Sequence, residues 1–312
     1  MILLSLFLSF AMATGTPEVD APATATAGPV SAGAAQTLTL LEPGTVDLKL
    51  LRIQPTVGTK GTLSSTITME STAFFGENEM PMATIPPITI VIDTEVTAND
   101  GDTFTMDFEY KSVEVGDVAG ALGVSEANIE MLKATTAQIV GLKGETKFTN
   151  RGFLVDSSFD LMEDASKGIQ DLAGNMENAL AQVAAPFPAE PVGVGARWKV
   201  ESQVEHNGIN VTQVAVYILK SHHLGRAVME FEVTQSAAEQ KLKTPQGDAT
   251  LKSMSSTGKG TTTISFSAPL PKKAAMDATV LIKMNMDMGG QTVEMAMTTQ
   301  TGIKMEDGAG EW

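Results

Sequence analysis

Residues 280–297 read Val280-Leu-Ile-Lys-Met-Asn-Met-Asp-Met288, Gly289-Gly290, Gln291-Thr-Val-Glu-Met-Ala-Met297. Two runs that alternate apolar and polar around a Gly-Gly pair predict a β-hairpin, because both central residues of a type I′ turn need φ > 0. A two-residue turn sets the register: Met288 opposite Gln291, Met286 opposite Val293, Met284 opposite Met295, Ile282 opposite Met297. All but the first of these pairs are apolar on both sides. The opposite face carries Leu281, Lys283, Asn285 and Asp287 against Thr292, Glu294, Ala296 and Thr298, and is mostly polar. The expectation is an antiparallel ribbon with one buried face made largely of methionine.

The same period runs through most of the chain after residue 36. Leu63, Ser65, Ile67 and Met69 alternate with polar residues, as do Phe104, Met106, Phe108 and Tyr110, and later Ala227, Met229, Phe231 and Val233. Asn99-Asp100-Gly101-Asp102 supplies a turn before Phe104, and Asn207-Gly208 supplies another after Trp198, Val200, Ser202 and Val204. Two segments break the pattern. Residues 125–140 read as a helix capped by Ser125 and ended by Gly141, with Ile129, Leu132, Ile139 and Val140 on one face. Residues 163–185 place Ala165, Ile169, Leu172, Met176, Ala179 and Val183 on one helical stripe, and Pro186 and Pro188 stop the run. Glu42-Pro43-Gly44 before one strand and Glu190-Pro191-Val192-Gly193 before another suggest a duplication.

The expected fold is mainly β: a large curved or partly closed antiparallel sheet of about eleven strands from two related halves, with two helices packed against it. The expected organisation is a signal peptide over 1–13 and an Ala/Pro/Thr tether over 14–36. A β-rich first half follows over 37–162, then a crossover helix over 163–185, a β-rich second half over 186–305 and a tail over 306–312.

Composition narrows the classes of function. The net charge of −16 has no basic cluster to offset it, which argues against nucleic acid and anionic lipid surfaces as partners. Residues 1–13 are apolar and end in Ala11-Met12-Ala13, an export pattern that lacks the usual basic start. No later stretch is apolar enough for a membrane-spanning helix, so the exported chain is expected in the periplasm or outside the cell. There is no cysteine, hence no disulfide, thiolate metal site or acylated cysteine.

The stretch Pro188-Ala-Glu-Pro191-Val192-Gly193-Val-Gly195-Ala-Arg-Trp198, with Gly258-Lys-Gly-Thr261 and the methionine hairpin, resembles a family of exported bacterial β-rich proteins of unknown function. The resemblance covers roughly residues 45–305. Many members of that family are lipoproteins, and this chain departs from them in lacking the cysteine. The architecture expected from the resemblance is similar to that of the bacterial lipoprotein carriers. It transfers no activity.

Catalytic and metal motifs are sparse. There is no G-x-S-x-G, and His206, His222 and His223 all fall at turns. Adjacent His222 and His223 on a strand would point to opposite faces, and Asn99–Asp102 lacks the rest of a calcium loop. Gly193-Val-Gly195 and Gly58-Thr-Lys60 match no nucleotide motif. No cofactor is expected. The remaining candidate is the apolar face of Ile282, Met284, Met286, Met288, Val293, Met295 and Met297. Thioethers suit Cu(I), but the aliphatic neighbours read as core, and methionine is a common core filler. Flexible methionines would also accept variable apolar shapes. The function expected is therefore non-enzymatic: an exported envelope protein binding an apolar ligand (a lipid or acyl chain) or a partner protein. The alternative is a solid-core structural or interaction module, with an enzyme third.

Overall fold

The computed structural model describes residues 36–76, 78–81, 85–117, 126–160, 185–206, 209–244, 247–288 and 291–308. Period-two runs become fourteen strands. The first part of the chain forms β1 (Gln36–Glu42), β2 (Lys60–Phe75), β3 (Asn78–Pro81), β4 (Ile85–Asn99) and β5 (Thr103–Val115), then helix α1 (Glu126–Ala137), β6 (Lys143–Thr149) and β7 (Leu154–Phe159). The rest forms β8 (Arg197–His206), β9 (Ile209–His223), β10 (Arg226–Ala237), β11 (Gln240–Thr244), β12 (Gly247–Ser265), β13 (Lys273–Met288) and β14 (Gln291–Asp307). They make one sheet in the order β1-β8-β9-β10-β12-β13-β14-β2-β4-β5-β6-β7, with β11 beside β12 and β3 beside β2.

This corrects the expected architecture in two respects. The sheet is not a curved or partly closed one: the strand path has two ends, β1 and β7, and among the described residues no ladder joins them. Strands β8 to β10 and β12 to β14 lie side by side in the path, with β1 on one flank and β2, leading to β7, on the other. Two packed helices are not found either: α1 is the one helix among the described residues, and the expected 163–185 helix lies outside them. Within α1 the expected stripe is partly realised. Leu132 is buried and Ile129 half-buried, while Ile139 reaches the core from the turn after the helix, ahead of Gly141 at φ +86°.

Long strands give the sheet two ends. At one end lie the paired strand ends His206 and Ile209 of β8 and β9, Thr244 and Gly247 of β11 and β12, and Met288 and Gln291 of β13 and β14. At the other lies a strap, residues 43–59, that runs past the strand starts. The strap is stitched across the sheet by backbone bonds. The Gly193 amide donates to the Pro43 carbonyl, Thr45 to Val194, Ile53 to Asn150 and Gln54 to Phe266. Arg52 donates through its guanidinium to the Pro188 and Ala189 carbonyls, at 3.0 and 2.9 Å, and Arg151 donates to Phe187 at 2.8 Å. Burial, with Arg151 nearby, holds the Arg52 guanidinium below its ordinary pKa.

Phe104 and Phe148 from β5 and β6 share one apolar cluster with Trp198, Tyr217 and Met229 from β8, β9 and β10, and with Leu51, Ile53 and Phe187. Trp198 stacks on Tyr217 with ring centroids 5.7 Å apart and donates its indole N–H to the Pro186 carbonyl at 2.8 Å. A buried indole must place its one donor somewhere, and this bond satisfies it. Ile67, Ile88, Phe108, Tyr110, Leu132 and Ile303 form a second cluster beneath α1.

Two glycines make room for aromatic rings. A Cβ at Gly260 would collide with the Phe231 ring and the Ala275 carbonyl, and one at Gly144 would collide with the Phe108 ring. In both cases the ring belongs to the residue across the ladder, Phe231↔Gly260 and Phe108↔Gly144. The glycine lets the ring lie flat over the neighbouring strand.

Candidate functional site

The methionine hairpin forms in the expected register. Met288 pairs with Gln291, Met286 with Val293, Met284 with Met295 and Ile282 with Met297. The Gly289-Gly290 turn lies outside the described residues, as do the side chains of Met288 and Gln291. Neighbouring strands extend the face into three rows. Ala237, Met254, Ile282, Met297 and Ala73 line one row across β10, β12, β13, β14 and β2. Leu251, Met284, Met295 and Phe75 line the next. Leu242, Ala249, Met286 and Val293 line the third, nearest the hairpin tips.

Burial grades along these rows. Ile282 is 2% and Met284 1% exposed, and Met297 is also buried, in a cluster with Ile209, Val211, Leu242 and Leu251. Met286, Val293, Met295 and Phe75 are half-buried. The face is thus core at one edge and accessible at the tip.

A buried polar belt bounds the face on its inner side, and the sequence reading missed it. Ladder partners place Gln36, Ser202, Gln213, Gln235, Ser256, Val280, Thr299 and Ser71 in one line across eight strands, β1 to β2. Only Val280 is apolar. Ser202, Gln213, Gln235, Ser256 and Thr299 are buried. Inside the sheet each needs a partner. Gln235 donates from its amide to Gln213 at 2.8 Å, and Ser71 and Thr299 share a hydrogen bond at 2.9 Å. Beside the belt the Thr301 hydroxyl has no partner, next to a void of about 10 Å³ lined also by Gln235, Ser256 and Met276. The available signal was polar residues at inward parity, such as Ser202 between Val200 and Val204. Only long-range pairing shows that they align.

The other sequence candidates resolve simply. Asn99–Asp102 is a hairpin turn: Gly101 donates to the Asn99 side chain and Thr103 to Asp100, which lowers the Asp100 pKa. His222 and His223 end β9 rather than forming the turn, which falls at Leu224-Gly225. His222 is half-buried, its Nε2 without a partner, and His223 is exposed. The His206 side chain lies outside the described ones. Among the described residues no three His, Cys, Asp or Glu side chains converge on a metal position. A hollow of about 530 Å³ is an open groove on the opposite face, between Thr68, Glu70, Lys259, Asp277 and Gln300.

No family model matches the chain, and no curated protein does. Solved structures with some likeness include OmpF of Salmonella typhi in complex with daunomycin. It shares 6% identity and covers 79% of this chain and 98% of that one, with a TM-score of 0.24. OmpT, an outer membrane protein of Vibrio cholerae, shares 7% identity over 80% of this chain and 100% of that one, with a TM-score of 0.18. At these scores the likeness is one of β-rich architecture, distantly resembling outer-membrane proteins, and it bears no argument about activity or location. The similarity to lipoprotein carriers gains no support from them. Among the described residues no helix is long and apolar enough to cross a membrane, which says nothing of crossing by strands.

Proposed function

We propose that the chain is an exported, non-enzymatic envelope protein that takes an apolar ligand, a lipid or acyl chain, or the apolar part of a partner protein, against the methionine end of its sheet. The observation that carries this reading is the graded burial of one face. Met286, Met295 and Phe75 are half-buried and continuous with the fully buried Met284 and Leu251. Methionine is flexible and polarisable, so such a face accepts apolar shapes that a branched aliphatic surface would reject.

A second reading is favoured by the near-complete burial of Ile282 and Met284: a solid-core interaction module without a ligand. Native mass spectrometry with organic extraction, on protein purified from its own exported fraction, separates the two. A stoichiometric co-purified lipid or apolar molecule supports the carrier. A clean apo mass that retains no added lipid overturns it in favour of the module.

A further inference from the structure

The strap end of the sheet, opposite the methionine end, has an unusual surface. Leu224 is 85% exposed at the tip of the β9–β10 hairpin, with φ +48°. Its partner in the turn is Gly225, at φ +73°. Both central positions of such a turn favour Asn, Asp or Gly, and a leucine there has strained backbone as well as full contact with water. Among the described residues the one other non-glycine with positive φ is Asp47, at +50°, and it lies between the exposed Val46 and Leu48. Strain held at a surface position, with nothing gained in packing, points to a use outside the fold.

The two loops are neighbours in the fold. Val194 accepts from Thr45, Gly195 donates to Leu219 near the end of β9, and Gly225 accepts from Phe266, which in turn accepts from Gln54. Val46, Leu48, Leu50, Val57, Val194 and Leu224 all lie on the strap or these adjoining loops, and they are six of the eleven large apolar side chains exposed among the described residues. The same end carries charge of both signs, with Asp47 and Glu190 among its acids. Every arginine of this net-acidic chain is there: Arg52, Arg151, Arg197 and Arg226. Arg52 and Arg151 bind backbone carbonyls, and Arg197 pairs with Glu42 at 2.9 Å. Arg226 is exposed beside Leu224, and His223 flanks it on the other side.

We propose that the strap end enters the headgroup–acyl boundary of a phospholipid bilayer, with Leu224 as its leading residue. Apolar side chains on several separate loops, rather than lining one groove, suit a planar deformable apolar layer. The exposed Arg226, two residues on from Leu224, suits a lipid phosphate, to which a guanidinium donates paired hydrogen bonds. The contact is peripheral, and it is independent of any ligand at the methionine end.

Because the chain has no cysteine, Leu224→Cys gives a single labelling site for a polarity-sensitive fluorophore. On phosphatidylcholine vesicles the labelled protein should shift to the emission of an apolar environment, and the unlabelled wild type should sediment with the vesicles. Leu224→Asn is the decisive variant, since asparagine accepts the left-handed turn. It should unfold no earlier than wild type while losing about tenfold or more in vesicle partition, the scale set by burying one leucine. No wild-type sedimentation, no emission shift, or equal partition of Leu224→Asn would overturn the proposal. A Leu224→Asn variant that instead loses only capture of a protein partner overturns it as well.

Discussion

Met284→Ala measures how solid the methionine face is. Met284 is 1% exposed and packs among Leu251, Ile282 and Leu242. Truncation removes three side-chain heavy atoms, about 2.4 kcal/mol at ~0.8 kcal/mol per methylene-sized group. If the walls stay in place, the vacated volume of roughly 70 Å³ adds ~1.7 kcal/mol at ~24 cal/mol per Å³. The expected loss is therefore about 2.5–4 kcal/mol, the lower figure applying if the site collapses. Met286→Ala, on the same strand but half-buried, should lose about 1 kcal/mol. Urea denaturation followed by circular dichroism gives both values, provided the slope against urea is unchanged between variants. A loss below about 1 kcal/mol for Met284→Ala, or equal losses for the two variants, would refute close packing at Met284. It would also mean that the interior of this face is loosely filled, as a ligand-accepting surface requires.

Two further outcomes test the rest of the fold. Gly260→Val is expected to destabilise by several kcal/mol or abolish folding, since the new side chain meets the Phe231 ring and the Ala275 carbonyl, and a thermal melt reads the loss. Tyr217 should make stability fall at alkaline pH. Burial pushes its phenol up to about 12, so its contribution is whole below the unfolded value near 10 and is lost as pH rises from there toward 12. The change is roughly 2–3 kcal/mol for a shift of this size, and Tyr217→Phe should flatten part of the slope. Tyr110, raised by the same burial, should sustain the remainder.

Local pattern made the hairpins legible. Gly-Gly between alternating runs set the register of β13 and β14 pair by pair, and Asn99–Asp102 set the turn between β4 and β5. β12 shows where such reading stops. From sequence only its end, from Thr261, reads as strand, yet it begins at Gly247. Its inward positions include Ser256, Gly258 and Gly260, which have no apolar period. Ser256 is in the belt, and Gly260 lies under Phe231. Each exception is caused by a residue on another strand. β1 was missed for a related reason. Gln36-Thr-Leu-Thr-Leu40 follows an Ala/Pro/Thr-rich stretch and becomes a strand by pairing with Trp198 to Ser202 of β8.

The graded methionine face was half legible. Sequence alone determined which residues share it, because side chains in a strand alternate and a two-residue turn leaves one register. Which of them are covered, and where the polar belt crosses, was decided by tertiary structure. The bond between Ser71 and Thr299 joins residues 228 apart, and Gln213 meets Gln235 only because β9 and β10 align. The same holds for the open sheet with ends at β1 and β7, and for the strap that carries Leu48 to the end presenting Leu224. Turn geometry is settled by adjacent residues through steric limits on φ and ψ. Strand order and burial depend on which distant faces repay the entropy of closing long loops, and no short window of sequence contains that balance.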